Sequence, residues 1–277
     1  MNIQSFKPQN SILSKLIECV YILEKIEDKQ SDSFIILPSI SAYFSVSVNT
    51  ISYLENEKIV VESTSTNPLD SSIQFGLKSS TVYEYRGKIK EICILFKPLA
   101  IFDFFAEDLL LKDSSKQLFI PDGDYQANIT RILDLTDHAQ IIAEIEKYLL
   151  GKYTPFAHPY LRQAVAELGI TDSEKPIKLE DLSKKFKITR QTLNSQFKKY
   201  LNLSASEFRQ ICRFRKFIQA KLIDEKKSRL TNLAYDFGFF DQSHLIKEFK
   251  KYTFLKPNDF FRKLTTSENN QILAIWQ

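Results

Sequence analysis

Two short stretches gather side chains suited to hydrogen bonding in pairs. One is Arg190-Gln191 followed by Asn194-Ser195, and the other is Gln242-Ser243-His244 followed by Ile246-Lys247. Amide and guanidinium groups engage two atoms at once, so they can match a planar edge that offers two partners. This is recognition chemistry and not bond-making chemistry. No nucleophile stands beside a general base, and no carboxylate pair is spaced for acid–base work. The three histidines, His138, His158 and His244, fall near neither a cysteine nor one another, so no metal site is expected. Glycines at 76, 87, 123, 151, 169 and 238 cannot form a G-x-G-x-x-G or phosphate-cradling loop. The chain is expected to be no enzyme and to carry no cofactor.

Both stretches need a frame, and the same frame occurs twice. Leu179, Leu182 and Phe186 recur as Leu230, Leu233 and Phe237 at an offset of 51. Leu193, Phe197, Lys198, Lys199, Tyr200, Leu203 and Phe208 recur as Leu245, Phe249, Lys250, Lys251, Tyr252, Leu255 and Phe260 at 52. The register changes where a turn must join two helices, so each copy reads as a helix–turn–helix. Thr189 and Asp241 are placed to cap the second helix of each copy, and Gly238 to end the helix before it. Ser204 with Glu207 is a capping box. It opens a connecting helix, about residues 205–226, whose apolar stripe is Ile211, Phe214, Ile218 and Leu222. At about 1.5 Å per residue that helix is about 30 Å long, close to the roughly 34 Å of one duplex turn.

Charge points to the partner. Residues 1–150 carry 14 Lys/Arg against 21 Asp/Glu, a balance of −7, whereas residues 151–277 carry 24 against 13, a balance of +11. A basic half that repeats a helix–turn–helix fits double-stranded DNA. Arg190, Gln191, Asn194 and Ser195 of one copy, and Gln242, Ser243, Ile246 and Lys247 of the other, are the candidate base readers. Gln and Asn suit adenine, Arg and Lys suit guanine, and Ile suits a thymine methyl. Lys187, Lys198, Lys199, Arg209, Arg213, His244, Lys250 and Lys251 are the candidate phosphate contacts.

The run "AYDFGFFDQSHLIKEFKKYTFLKPNDFFR" resembles the second helix–turn–helix of the AraC/XylS family of bacterial transcription regulators, and the likeness extends over residues 160–264. The resemblance implies two recognition helices, starting near Arg190 and Gln242. Phe254 occupies the family's usual glycine and Phe217 a usual alanine, so the cap and the packing there are expected to differ. It also implies an N-terminal cupin-like β-barrel that binds an effector and dimerises, with RNA polymerase as a further partner.

The first 150 residues carry strand patterns of their own. "ISAYFSVSV" (40–48) alternates with period two, and "KIVVES", "SIQFGL", "TVYEYR" and "EICILF" are shorter candidates. Helices are expected in "LAIFDFFAEDLLL" and over residues 137–150. The fold class is therefore α+β in two domains, a β-rich domain (1–150) and an all-α domain (160–264) with two helix–turn–helix units joined by a linker helix. Residues 151–159 link them, and 265–277 form a tail. Tyr43, Phe75, Tyr83 and Tyr85 are candidates to line an effector pocket. The N-terminal domain reads either as a sensor of a small molecule or as an interaction and dimerisation scaffold without one. No apolar run is long enough to span a bilayer, no signal-peptide core is present, and Cys19, Cys93 and Cys212 are scattered. A cytoplasmic protein with reduced thiols is expected. Activation or repression is left open.

Overall fold

Alternating side chains set the first part of the chain. In the computed structural model, which describes residues 1–28, 30–66, 69–111, 119, 123–169, 177–223, 235, 237, 239, 241–266 and 272–276, nine strands occupy most of the first 96 residues. They are β1 (Asn2–Phe6), β2 (Ile17–Lys25), β3 (Asp32–Ile36), β4 (Ala42–Ser47), β5 (Thr50–Glu55), β6 (Lys58–Ser63), β7 (Asp70–Gln74), β8 (Thr81–Arg86) and β9 (Ile89–Phe96). The chain folds as two units. Met1–Ser33, Ser41–Phe75 and Val82–Ala157 make the first; Phe34–Ile40, Gly76–Thr81 and His158–Gln277 make the second.

In the first unit five strands pair antiparallel in the order β1-β2-β9-β4-β7. A second ladder runs β5-β6-β8, with the β6–β8 pair parallel. Closing the first sheet into a cylinder would require β1 to pair with β7, and no such ladder exists among the described residues. Register puts Val20, Ile22, Phe44, Val46, Ile92 and Ile94 on one face of the five-stranded sheet, all of them buried. Two helices, α1 (Leu13–Leu16) and α2 (Glu107–Leu110), are short, and α3 (Tyr125–Asp134) and α4 (His138–Lys152) are longer. Phe44 meets Tyr125 at 6.0 Å between ring centroids, and Ser71 Oγ lies 2.6 Å from Tyr125 Oη, so α3 covers that face. The helix expected at 137–150 is α4, capped by Asp137, which accepts from the Ala139 amide. The stretch at 99–111 is not one helix but a 3₁₀ turn (Ala100–Asp103) followed by α2. Its rings need several directions. Phe102 meets Phe75 and Phe156, Phe104 meets Phe96 and Tyr153, and Phe105 meets Phe44 and Phe119.

The second unit is helical, with α5 (Leu161–Gly169), α6 (Leu179–Lys185), α7 (Arg190–Leu201), α8 (Ala205–Ile223), α9 (Gln242–Thr253) and α10 (Pro257–Lys263). Leu179, Leu182, Leu193, Phe197 and Phe208 are buried in the first copy of the repeat, and Leu245, Phe249, Tyr252 and Phe260 in the second. Phe217 is fully buried and meets Phe237, Phe239 and Phe249 edge-on, so a ring fills the position where alanine is usual. Leu230, Leu233 and Gly238 lie outside the described residues. The tail, to which no element was assigned, forms strands. There β10 (Leu264–Thr266) pairs with β11 (Ile272–Trp276), and β11 continues onto Phe34 and Ile35. The run "ILAIW" is short and rich in strand formers, and it finds backbone partners in the open edge of 34–35.

The two copies end alike but not equally well. Asn202 and Phe254, 52 residues apart, both take the left-handed conformation after their helices, at φ 57° and 61°. Asparagine tolerates that region, whereas a bulky side chain pays about 1–2 kcal/mol. Phe254 is 62% exposed and recovers little by burial. Phe254→Gly is therefore expected to raise stability by about 1 kcal/mol, the strain relieved less the extra chain entropy of glycine. Urea titration checks it. An unchanged or lowered midpoint would show that the ring stabilises the cap.

Candidate DNA-binding interface

Capping fixes where each candidate reader helix begins. The Thr189 hydroxyl accepts from the Thr192 amide at 3.0 Å and starts α7; the Asp241 carboxylate accepts from the His244 amide at 2.7 Å and starts α9. Between them, the Ser204 amide donates to Glu207 Oε2 at 2.7 Å and the Glu207 amide donates to Ser204 Oγ at 3.2 Å, so the capping box of α8 is formed. Burial pushes the Glu207 carboxyl up. Bonds from the Ser204 amide and hydroxyl, with Lys78 and Lys198, outweigh it and hold the group below its usual value.

With both starts fixed, the outward faces repeat as strictly as the cores. Gln191, Ser195, Lys198 and Lys199 are exposed on α7, and Ser243, Lys247, Lys250 and Lys251 are exposed on α9, each pair 52 residues apart. Positions i, i+4 and i+7/i+8 lie on one face of a helix. Each reader thus offers a strip with uncharged polar groups near its N-terminus and lysines toward its C-terminus. Gln242 is exposed beside Ser243, and Ile246 is half-buried in the cleft that Gln242, Leu245, Lys256 and Pro257 also line.

Other candidate residues have partners within the protein. Arg190 Nη1 lies 2.6 Å from Glu180 Oε1 on the surface. The Asn194 side chain accepts from the Ala205 amide at 3.1 Å and ties α7 to the start of α8. Arg209 donates to the Ile177 carbonyl at 3.3 Å. Arg213 pairs with buried Glu248 and lies 4.7 Å over the Phe239 ring. His244 Nε2 is 3.5 Å from Glu248. Lys199 and Lys251 lie 4.7 Å and 4.6 Å over Tyr200 and Tyr252, the same arrangement in both copies. Lys187 is exposed in the first turn with φ 53°. Glu248 is a site residue that sequence reasoning misses. Its place on the Leu245–Phe249–Tyr252 face of α9 was the available signal.

In the first unit, three of the four aromatic candidates come together. Register places Tyr21, Cys93 and Ser45 in one row of the five-stranded sheet, and Glu91 and Ser47 in a neighbouring row on the same face. Tyr85 Oη donates to Glu91 Oε2 at 3.0 Å, Tyr83 Oη donates to Gln74 Oε1 at 3.0 Å, and the two rings stack at 6.5 Å. Tyr43 adds to the electrostatic surroundings of both Tyr21 and Tyr83. Phe75 instead stacks on Phe102. Burial pushes the Glu91 carboxyl up to about 7, bonds from Tyr85 and Ser45 offset part of this, and Asp70 adds to it. Burial likewise pushes the Cys93 thiol and the Tyr83 hydroxyl far up. Yet Tyr21, Tyr43, Ser45, Tyr83 and Cys93 all keep part of their surface accessible. Tyrosines, a thiol and one carboxyl are thus gathered in one largely buried polar cluster.

Among the described residues no three potential metal ligands cluster, and no helix is long and apolar enough to cross a membrane. Residues 182–263 match a family model described as a helix-turn-helix domain. Among curated proteins no match is found. Among solved structures the chain is similar to ToxT from Vibrio cholerae in its P21 form. Identity is 13%, coverage 95% of this chain and 98% of that one, and the TM-score 0.41. It is also similar to wild-type ToxT of strain SCE256 bound to an unsaturated fatty acid, at 15% identity over 87% of this chain and 92% of that one, with a TM-score of 0.37.

Proposed function

We propose, from the premise that residues 182–263 are a helix–turn–helix domain of the AraC type, that the protein is a sequence-specific regulator of transcription acting in the cytoplasm on operator DNA. The observation that carries this reading is the outward face that recurs at an offset of 52 on two capped helices. A duplex presents the same groove once per turn, and a chain that reads two turns needs the same face twice. Base reading falls to the N-terminal part of each strip, Gln191 and Ser195 on α7 and Gln242, Ser243 and Lys247 on α9. Phosphate contact falls to Lys198, Lys199, Lys250 and Lys251. RNA polymerase is the partner such a regulator works through.

The test separates readers from charges. Gln242→Ala and Lys247→Ala are expected to weaken binding to a duplex selected from a random library by about 1–3 kcal/mol, and to relax preference at one or two base pairs. Lys250→Ala is expected to weaken selected and scrambled duplexes by the same factor. Equal losses on both duplexes for all three variants would make α9 a charged surface and the protein a general DNA binder.

We also infer that the first unit is controlled by a small molecule. The buried polar cluster around Tyr43, Tyr83, Tyr85 and Glu91 supports this, because it gathers hydrogen-bonding groups and a carboxyl able to engage a polar ligand. A metabolite panel separates the two readings. A ligand at a hundred times its Kd raises stability by about 2.7 kcal/mol, whereas a pure scaffold shows no shift with any compound.

A further inference from the structure

The second unit contains more than helices. Two segments from early in the sequence, Phe34–Ile40 and Gly76–Thr81, belong to it. They are tied to each other, since the Leu77 amide donates to the Ser39 carbonyl at 2.8 Å and the Ser39 amide donates back at 3.0 Å. Ser39 is fully buried, and Leu37, Leu77 and Ser80 are nearly so.

Their contacts fall at corresponding places in the two copies of the repeat. At Gly76 the backbone runs against the end of α7. A Cβ there would lie 2.2 Å from the Leu201 carbonyl oxygen and 2.8 Å from Leu203 Cγ, so only glycine fits. The Gly76 carbonyl accepts from Asn202 Nδ2 at 3.5 Å. Four residues on, the Ser80 hydroxyl donates to the Tyr252 carbonyl at the end of α9. The last carbonyls of a helix have no partner inside it, and Ser80 supplies one. Between the two, Lys78 Nζ is 3.9 Å from Glu207, the capping-box residue of α8. The companion segment reaches α8 through Arg215, whose Nη1 donates to the Pro38 carbonyl at 3.2 Å. Four residues of extended chain span at most about 14 Å, and this segment bends at Lys78 and Ser79, so it is a short connection between the ends of two helices.

We propose that residues 76–80 are a brace that sets the separation of the two reader helices, with Gly76 and Ser80 as its positioning residues. The matched family segment begins at residue 182, so the brace lies outside the domain whose geometry it fixes. A linker helix alone sets the distance between its ends but leaves each helix–turn–helix free to swing about its junction. A second connection, between the C-terminal ends of α7 and α9, restricts that freedom. The consequence for operator choice rests on the DNA-binding reading; the geometry itself does not.

The test uses the full chain and begins without DNA. Nitroxide labels on Lys198→Cys and Lys250→Cys, with Cys93 replaced by Ser, report the distance between the readers. The parent is expected to give one narrow distribution. Gly76→Ala, which forces the segment off Leu201, and the milder Ser80→Ala are expected to broaden or shift it while helical content stays the same. The second readout is affinity for a duplex selected by the unlabelled wild-type chain, measured with one or two base pairs inserted between its two contacted halves. The wild type should lose at least tenfold on insertion, and the variants less than threefold. An unchanged distribution in both variants, or a uniform affinity loss with the same spacing profile, overturns the brace. If Gly76→Ala fails to fold, Ser80→Ala decides. Failure of the wild-type chain to select any duplex overturns the DNA-binding reading and leaves the distance measurement standing.

Discussion

Raising salt from 50 to 200 mM is expected to weaken binding of the full-length protein to its selected duplex about a thousandfold. Six exposed lysines, 187, 198, 199, 247, 250 and 251, lie on the two readers and the first turn. About six phosphate contacts displace about five counterions from B-form DNA, which gives that loss over a fourfold rise in salt. The slope of log K against log salt is the measurement. Lys250→Ala should reduce it by about one. Arg213→Ala should leave the slope nearly unchanged, although Arg213 carries the same charge, because its guanidinium is committed to Glu248 and the Phe239 ring. Its loss should appear in stability instead. Glu248 is 8% exposed and would be left facing only the more distant His244 among the described residues that pair with it, at a cost of about 3–5 kcal/mol. A slope near zero for the parent would remove the phosphate-contact account. A slope change in Arg213→Ala matching that of Lys250→Ala would return Arg213 to the interface.

The division between these two basic residues marks how far sequence reading reaches. Both N-caps and the capping box were legible because each is set by residues within four positions of one another, and the repeat was legible because its matched residues keep the same spacing in both copies. The exposed strips followed, since helical period and the buried Leu–Phe positions leave a single outward face. What Asn194, Arg209 and Arg213 do was not legible. Each bonds a group on another element, the Ala205 amide, the Ile177 carbonyl and Glu248, and only the packed fold brings these within reach. The brace was hidden for the same reason, because Ser80 and Tyr252 are 172 residues apart. In the first unit, the alternation of β4 and the short runs of strand formers in β6, β7, β8 and β9 were legible, whereas β2 was not. Its buried pattern runs through both faces, as a strand covered on two sides must. Glu91 carries a signal of its own in the sequence. It shares strand parity with the inward-facing Cys93 and Leu95, a position where a carboxylate calls for an explanation.

That carboxyl gives the last expected result. The protein should lose about 3 kcal/mol of stability between pH 4.5 and 7 through Glu91 alone, and Glu91→Gln should remove that loss. In the unfolded chain the group titrates near 4.5, and in the fold burial raises it to about 7. Between those values the folded state holds a proton that the unfolded state has released. Stability from this group is therefore fully present below pH 4.5 and is lost as pH rises through 7, the reverse of a surface carboxylate paired with a lysine. Each pH unit across the window costs about 1.4 kcal/mol. Tyr85 and Ser45 face the carboxyl and can bond it in either form, while nearby Asp70 makes ionisation harder. The amide of the Glu91→Gln variant would keep the shape and the bond from Tyr85 but has no proton to lose. Urea titrations of parent and variant at several pH values, taken as a difference, cancel the other titrating groups. The difference should be flat below pH 4.5 and climb by about 3 kcal/mol in favour of the variant by pH 7.5. Parallel curves would mean that Glu91 is ionised and solvated in the fold, and the polar cluster around Tyr83 and Tyr85 would then be open to bulk water.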